Sequence, residues 1–145
     1  MIAWDAATRQ PLLSFFAYGA DFRGGVYVAT GDMNGDGTPD IITGAGEGGG
    51  PLVRYFDGHS GLLFRQFYAY PTNTGGLGSN ALWTSGVRVA VTSDVDGDSI
   101  PDLIVSPGPG RSATVRLDSG AQATQIREFT AFDPSFLGGV FVGGA

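Results

Sequence analysis

The chain lines up with itself. Asp94 follows Asp32 by 62 residues, and Phe129 follows Phe67 by the same 62. A repeat of this period builds a chain from copies of one supersecondary unit that buries its apolar face only against a neighbouring copy. Three sets of short runs recur in constant order. Ile2-Ala3-Trp4-Asp5, Val53-Arg54-Tyr55-Phe56-Asp57 and Val115-Arg116-Leu117-Asp118 form one set, and Phe16-Ala17-Tyr18, Phe67-Tyr68-Ala69-Tyr70 and Phe129-Thr130-Ala131-Phe132 a second. Gly25-Val26-Tyr27-Val28, Gly86-Val87-Arg88-Val89 and Gly139-Val140-Phe141-Val142 form the third.

Each unit reads as strand A, an acidic loop, strand B, a Gly-rich turn, strand C, an Asp-Gly or Asp-Ser-Gly turn, and strand D. Strand B is Ile41-Ile42-Thr43 in one unit and Leu103-Ile104-Val105 in the other. The 25 glycines and 8 prolines fall between runs rich in Val, Ile, Phe and Tyr, which marks strands and tight turns. The expected fold is all-β, a β-propeller of four-stranded antiparallel blades. Residues 24–70 and 86–132 are the complete blades. Partial blades flank them, 1–23 with strands C and D and 133–145 with strand A, and an inserted loop spans 71–85.

Charge is concentrated. The net charge is −6, and seven of the 14 acidic residues lie in the two loops: Asp32, Asp36, Asp40, Asp94, Asp96, Asp98 and Asp102. Eight scattered Lys and Arg disfavour a nucleic-acid partner. The absence of cysteine removes disulfides and thiolate metal sites. No apolar stretch has the length of a membrane-spanning helix or the form of a signal peptide, so a soluble chain without membrane insertion is expected.

The first loop is Asp32-Met33-Asn34-Gly35-Asp36-Gly37-Thr38-Pro39-Asp40 and the second Asp94-Val95-Asp96-Gly97-Asp98-Ser99-Ile100-Pro101-Asp102. Oxygen side chains stand at positions 1, 3, 5 and 9. A hard cation taking six to eight oxygens needs such short carboxylates from alternate residues of a tight loop, with a backbone carbonyl at position 7, here Thr38 and Ile100. Asp, Asn and Gly are also ordinary turn residues, but two matches at equivalent repeat positions exceed what turn chemistry explains. An EF-hand needs Glu at position 12, where Thr43 and Val105 stand, and flanking helices; a dockerin-like loop needs a helix after it. The short β-branched runs that follow fit neither.

Together, Gly-Val-x-Val, the Asp-x-Asn/Asp-Gly-Asp loops, Gly44-Ala45-Gly46 and Phe56-Asp57-Gly58 resemble the FG-GAP repeats of integrin α-subunit-like β-propellers over most of the chain. That resemblance implies a Ca²⁺ ion in each A–B hairpin. Its ligands would be Asp32, Asn34, Asp36, Thr38 and Asp40 in one site and Asp94, Asp96, Asp98, Ile100 and Asp102 in the other. It also implies an extracellular or cell-surface setting. Ser99 stands where the pattern has Gly, and a positive φ there costs about 1 kcal/mol, so the second site is expected to be the weaker.

Other motifs point elsewhere. Gly44-Ala45-Gly46-Glu47-Gly48-Gly49 satisfies Gly-x-Gly-x-x-Gly, but Gly50-Pro51 leads into another strand instead of the helix a pyrophosphate requires. His59, the single histidine, sits in a predicted hairpin turn, and no catalytic constellation is recognisable. The strand D aromatics are expected to pack between blades. Trp83, in the inserted loop, is the aromatic expected to meet a ligand. The expectation is a non-enzymatic calcium-stabilised binding or scaffold module for protein or glycan partners. Its ring would be closed by further copies, as a homo-oligomer, or by a longer chain. The alternative is an accessory or catalytic propeller domain of a polysaccharide-acting enzyme.

Overall fold

The structure is a computed structural model that describes residues 1–71 and 83–144, and these residues form ten strands and no helix. Strands β1 (Ile2–Trp4) and β2 (Pro11–Ser14) pair as a two-stranded sheet. Strands β3 (Val26–Gly31), β4 (Asp40–Ala45), β5 (Leu52–Phe56) and β6 (Leu63–Tyr68) form a four-stranded antiparallel sheet in that order. So do β7 (Val87–Thr92), β8 (Asp102–Pro107), β9 (Thr114–Asp118) and β10 (Gln125–Thr130). The chain is all-β, and its two antiparallel meanders are consistent with propeller blades.

Alternation along the strands explains how the sheets stack. Val87, Val89 and Val91 share one face of β7, opposite Pro107, Val105 and Leu103 of β8. That face meets the first sheet. Leu103 and Val105 join Met33, Ile42, Val53, Tyr55 and Val87 in one buried cluster between the sheets. A smaller cluster of Ala17, Ile41 and Phe56, with Leu13 and Phe15 against it, joins the two-stranded sheet to the first meander.

The aromatics that follow strand D fasten neighbouring sheets. The Tyr18 hydroxyl lies 3.2 Å from the Thr43 carbonyl and 2.9 Å from that of Leu52. At the next junction Tyr70 repeats the device on Val105, at 3.0 Å, and Thr114, at 2.7 Å. Phe16, Tyr68, Phe129 and Phe132 are exposed, so the packing role expected of strand D aromatics does not extend to them. The Arg88 guanidinium sits between the rings of Tyr27, at 5.3 Å, and Phe141, at 4.1 Å, and so links the equivalent positions of three successive repeats.

Two expectations change. Val140–Val142 forms no strand: the segment follows the course of a strand A against the second sheet, with Ser106 Oγ donating to the Val140 carbonyl at 2.6 Å, but no strand among the described residues pairs with it. Trp83 is internal, only 7% exposed, and stacks on Tyr70 at 4.9 Å and 10° while its indole N–H donates to the Gly86 carbonyl at 3.0 Å. A large flat ring beside the sheet junction gains more from burial there than in water. Residues 72–82 of the inserted loop lie outside the described residues.

Candidate metal centre

Each acidic loop closes the hairpin of the first two strands of its sheet, from the Gly31–Asp40 pair in one and the Thr92–Asp102 pair in the other. The loops are wound by their own side chains. Asp32 Oδ1 accepts from Gly35 N at 2.8 Å and its Oδ2 from Gly37 N at 2.8 Å, and Asp94 repeats this with Gly97 N at 2.6 Å and Ser99 N at 2.8 Å. These backbone donors hold the Asp94 carboxyl below its usual range. Position 3 accepts from position 5, Asn34 from Asp36 N at 2.9 Å and Asp96 from Asp98 N at 3.2 Å. Position 5 accepts from position 7, Asp36 from Thr38 N at 2.7 Å and Asp98 from Ile100 N at 2.9 Å. Gly37 has φ of 86° and Ser99 of 72°, so serine does hold the left-handed conformation its place in the loop demands.

Position 9 differs from the rest. Asp40 and Asp102 are fully buried, and both oxygens of each are engaged. One accepts from the residue at position 2, Met33 N at 2.9 Å or Val95 N at 2.7 Å. The other reaches the turn between the third and fourth strands, Gly58 N at 2.9 Å or Gly120 N at 3.1 Å. Only glycine fits there, since a Cβ would fall 2.0 Å from the Pro39 carbonyl oxygen at Gly58 and 1.8 Å from that of Pro101 at Gly120. Burial pushes the Asp40 carboxyl up, against the two backbone donors that pull it down.

The same turn brings in residues that the loop pattern did not include. Asp57 Oδ2 accepts from Asn34 Nδ2 at 3.3 Å, and its repeat equivalent Ser119 approaches Asp98 at 3.4 Å. Their signal in the sequence is the position just before the required glycine.

Asp94, Asp96 and Asp102 each offer a carboxylate oxygen, all within 4.8 Å of one another. An ion about 2.3–2.6 Å from each oxygen spans roughly that separation, and the donors are all hard oxygens, so the set fits Ca²⁺. In the first loop Asn34 replaces Asp96, which brings an amide oxygen in place of a third convergent carboxylate. Thr38 and Ile100, the expected carbonyl donors, are half-buried at the inner edge of their loops.

His59 is exposed in the turn after β5. Gly46–Gly50 connects β4 to β5 with no helix, so the glycine pattern there serves a turn. A broad groove of about 920 Å³ opens at the opposite end of the first sheet from the acidic loop, with Tyr18, Asp21, Arg23, Glu47 and Arg54 along it. No described helix is long and apolar enough to cross a membrane.

No curated protein matches the chain. The family model of the FG-GAP repeat matches residues 24–61, from the segment before β3 through the first acidic loop to the turn after β5. FG-GAP repeats are non-catalytic propeller repeats, typical of extracellular proteins, and those of integrins generally bind Ca²⁺. The chain thus carries an FG-GAP repeat in its first four-stranded sheet, and an integrin-like β-propeller is consistent with that match.

Proposed function

We propose that the protein is a calcium-stabilised propeller module that presents loops and grooves for protein or glycan binding, or serves as a scaffold, without catalytic activity of its own. The observation that carries this is the repetition of one oxygen-lined loop at equivalent hairpins of two stacked sheets. The ligand set is Asp32, Asn34, Asp36, Thr38 and Asp40 in the first site and Asp94, Asp96, Asp98, Ile100 and Asp102 in the second. Bound Ca²⁺ would neutralise carboxylates that otherwise crowd one another, and the chain's own hydrogen bonds already curl each loop around the place for it. The setting is extracellular or cell-surface, where calcium is abundant. The polysaccharide-enzyme reading leaned on Trp83 and on scattered surface carboxylates, and the internal position of Trp83 removes the first of these supports.

Calorimetric titration tests the sites. Two Ca²⁺ per chain are expected, with Asp36→Ala and Asp98→Ala each removing one. Absence of saturable binding at millimolar calcium would contradict the proposal. Ring closure by further copies or by a longer chain is part of the same reading. For the isolated chain, sedimentation should show a discrete oligomer, and a stable 15.0 kDa monomer would rule out closure by copies.

A further inference from the structure

The carboxylates of the two acidic loops match except at position 3, where Asn34 stands in one and Asp96 in the other, 62 residues on. A second exchange, at the same offset of 62, lies outside the loops: Asp57 in the turn between β5 and β6 has Ser119 as its equivalent in the turn between β9 and β10. The two exchanges run in opposite directions. The first loop lacks a carboxylate that the second has, and its neighbouring turn carries one that the second turn lacks.

Both turns are held against their loops by the same clamp. Gly58 N donates to Asp40 at 2.9 Å and Gly120 N to Asp102 at 3.1 Å, which delivers the residue before each glycine to the loop. Asp57 commits one oxygen to its own turn, where Oδ1 accepts from the backbone N–H and the hydroxyl of Ser60. Its Oδ2 faces the loop and accepts from Asn34 Nδ2 at 3.3 Å, and the same amide nitrogen donates to Asp36 Oδ2 at 3.1 Å. A neutral amide thus bridges two carboxylates, one from the loop and one from the turn. In the second loop position 3 is itself a carboxylate, and Ser119 brings only a hydroxyl, 3.4 Å from Asp98 Oδ2. Counted with its turn, each loop gathers the same set of charges: Asp32, Asp36, Asp40 and Asp57 in one, Asp94, Asp96, Asp98 and Asp102 in the other.

We propose that Asp57 is the fourth carboxylate of the first calcium site, a metal-binding residue supplied from outside the Asp32–Asp40 loop that makes up the charge Asn34 does not bring. The affinity of an oxygen-lined loop for Ca²⁺ follows the number of charged groups it turns on the ion, so a site with Asn at position 3 gains from a carboxylate delivered beside that asparagine. The inference rests on the reading of the loops as calcium sites.

Calorimetric titration with Ca²⁺ in the Asp98→Ala background, which should retain only the first site, isolates the effect. There Asp57→Asn, which keeps an acceptor for Ser60, should weaken binding about tenfold or more, and adding Asn34→Asp should restore most of the loss by returning the fourth carboxylate to position 3. Ser60→Ala, which loosens the turn and removes no charge, should change the affinity far less. In the Asp36→Ala background, which should retain only the second site, Asp57→Asn should change nothing. Calcium binding by the native chain with an Asp57→Asn variant that binds as tightly as its parent would overturn this inference and leave the calcium sites standing. A loss that Asn34→Asp does not restore would overturn it as well, since Asp57 would then act through its turn and not through its charge. No saturable binding by the native chain would contradict the sites themselves and this inference with them.

Discussion

At the scale of single residues, positions 5 and 9 of each loop differ in what their carboxylates hold. Asp36 and Asp98 are exposed and accept mainly from their own loop, whereas Asp40 and Asp102 are buried with both oxygens taken by backbone N–H groups of two different turns. Leaving a buried N–H unpaired costs about 1–3 kcal/mol. Asp40→Ala should therefore lower stability by roughly 2–5 kcal/mol even in chelator, while Asp36→Ala, which loses an exposed acceptor, should cost about 1 kcal/mol or less in chelator and more when calcium is present; denaturant unfolding of both variants, with and without calcium, checks this. The alternation of carboxylates was legible in the sequence because it repeats at equivalent positions. The role of Asp40 as a clamp on Gly58 was not, since it depends on a contact 18 residues away. For the same reason Asp57 and Ser119 escaped notice until the turn was placed beside the loop.

At the scale of elements, strand order could be read because short β-branched runs bounded by glycine permit little else. The first three strands of each meander fall where the repeat puts them, whereas the fourth, β6 and β10, runs earlier than the recurring Phe67–Tyr70 and Phe129–Phe132 sets and takes in only the first two residues of each. Legibility failed where a segment's state depends on neighbours. Val140-Phe141-Val142 has the composition of a strand, but a strand needs a ladder partner. Trp83 lies in a polar, glycine-rich segment, and its burial comes from the stacked ring of Tyr70 and the Arg111 guanidinium 4.7 Å from its own ring. The sheet junctions turn on Tyr70, whose hydroxyl meets the carbonyls of two strands of the following sheet. Tyr70→Phe should cost about 1 kcal/mol in thermal or chemical unfolding and leave the strand content by circular dichroism unchanged. A loss above about 3 kcal/mol would mean that the hydroxyl organises the junction and does not merely fasten it.

At the scale of the molecule, the modest core among the described residues is divided among three clusters, and no disulfide supports it. The largest cluster lies between the meanders and draws on both, so neither sheet completes its burial alone. The acidic loops flank that cluster directly: Met33 of the first is buried in it, and Ile100 of the second approaches Gly35. An ion in either loop would therefore steady the contact between sheets as well as its own hairpin. Ligands that bind only the folded state raise its stability by mass action, about 2.7 kcal/mol per site at a hundredfold excess over Kd. Thermal unfolding of the same sample in calcium and in excess chelator measures this most directly. The midpoint should rise by several degrees in calcium, with the rise reduced in Asp36→Ala and abolished when Asp98→Ala is added. An unchanged midpoint in the native chain would contradict the assignment of these loops as calcium sites.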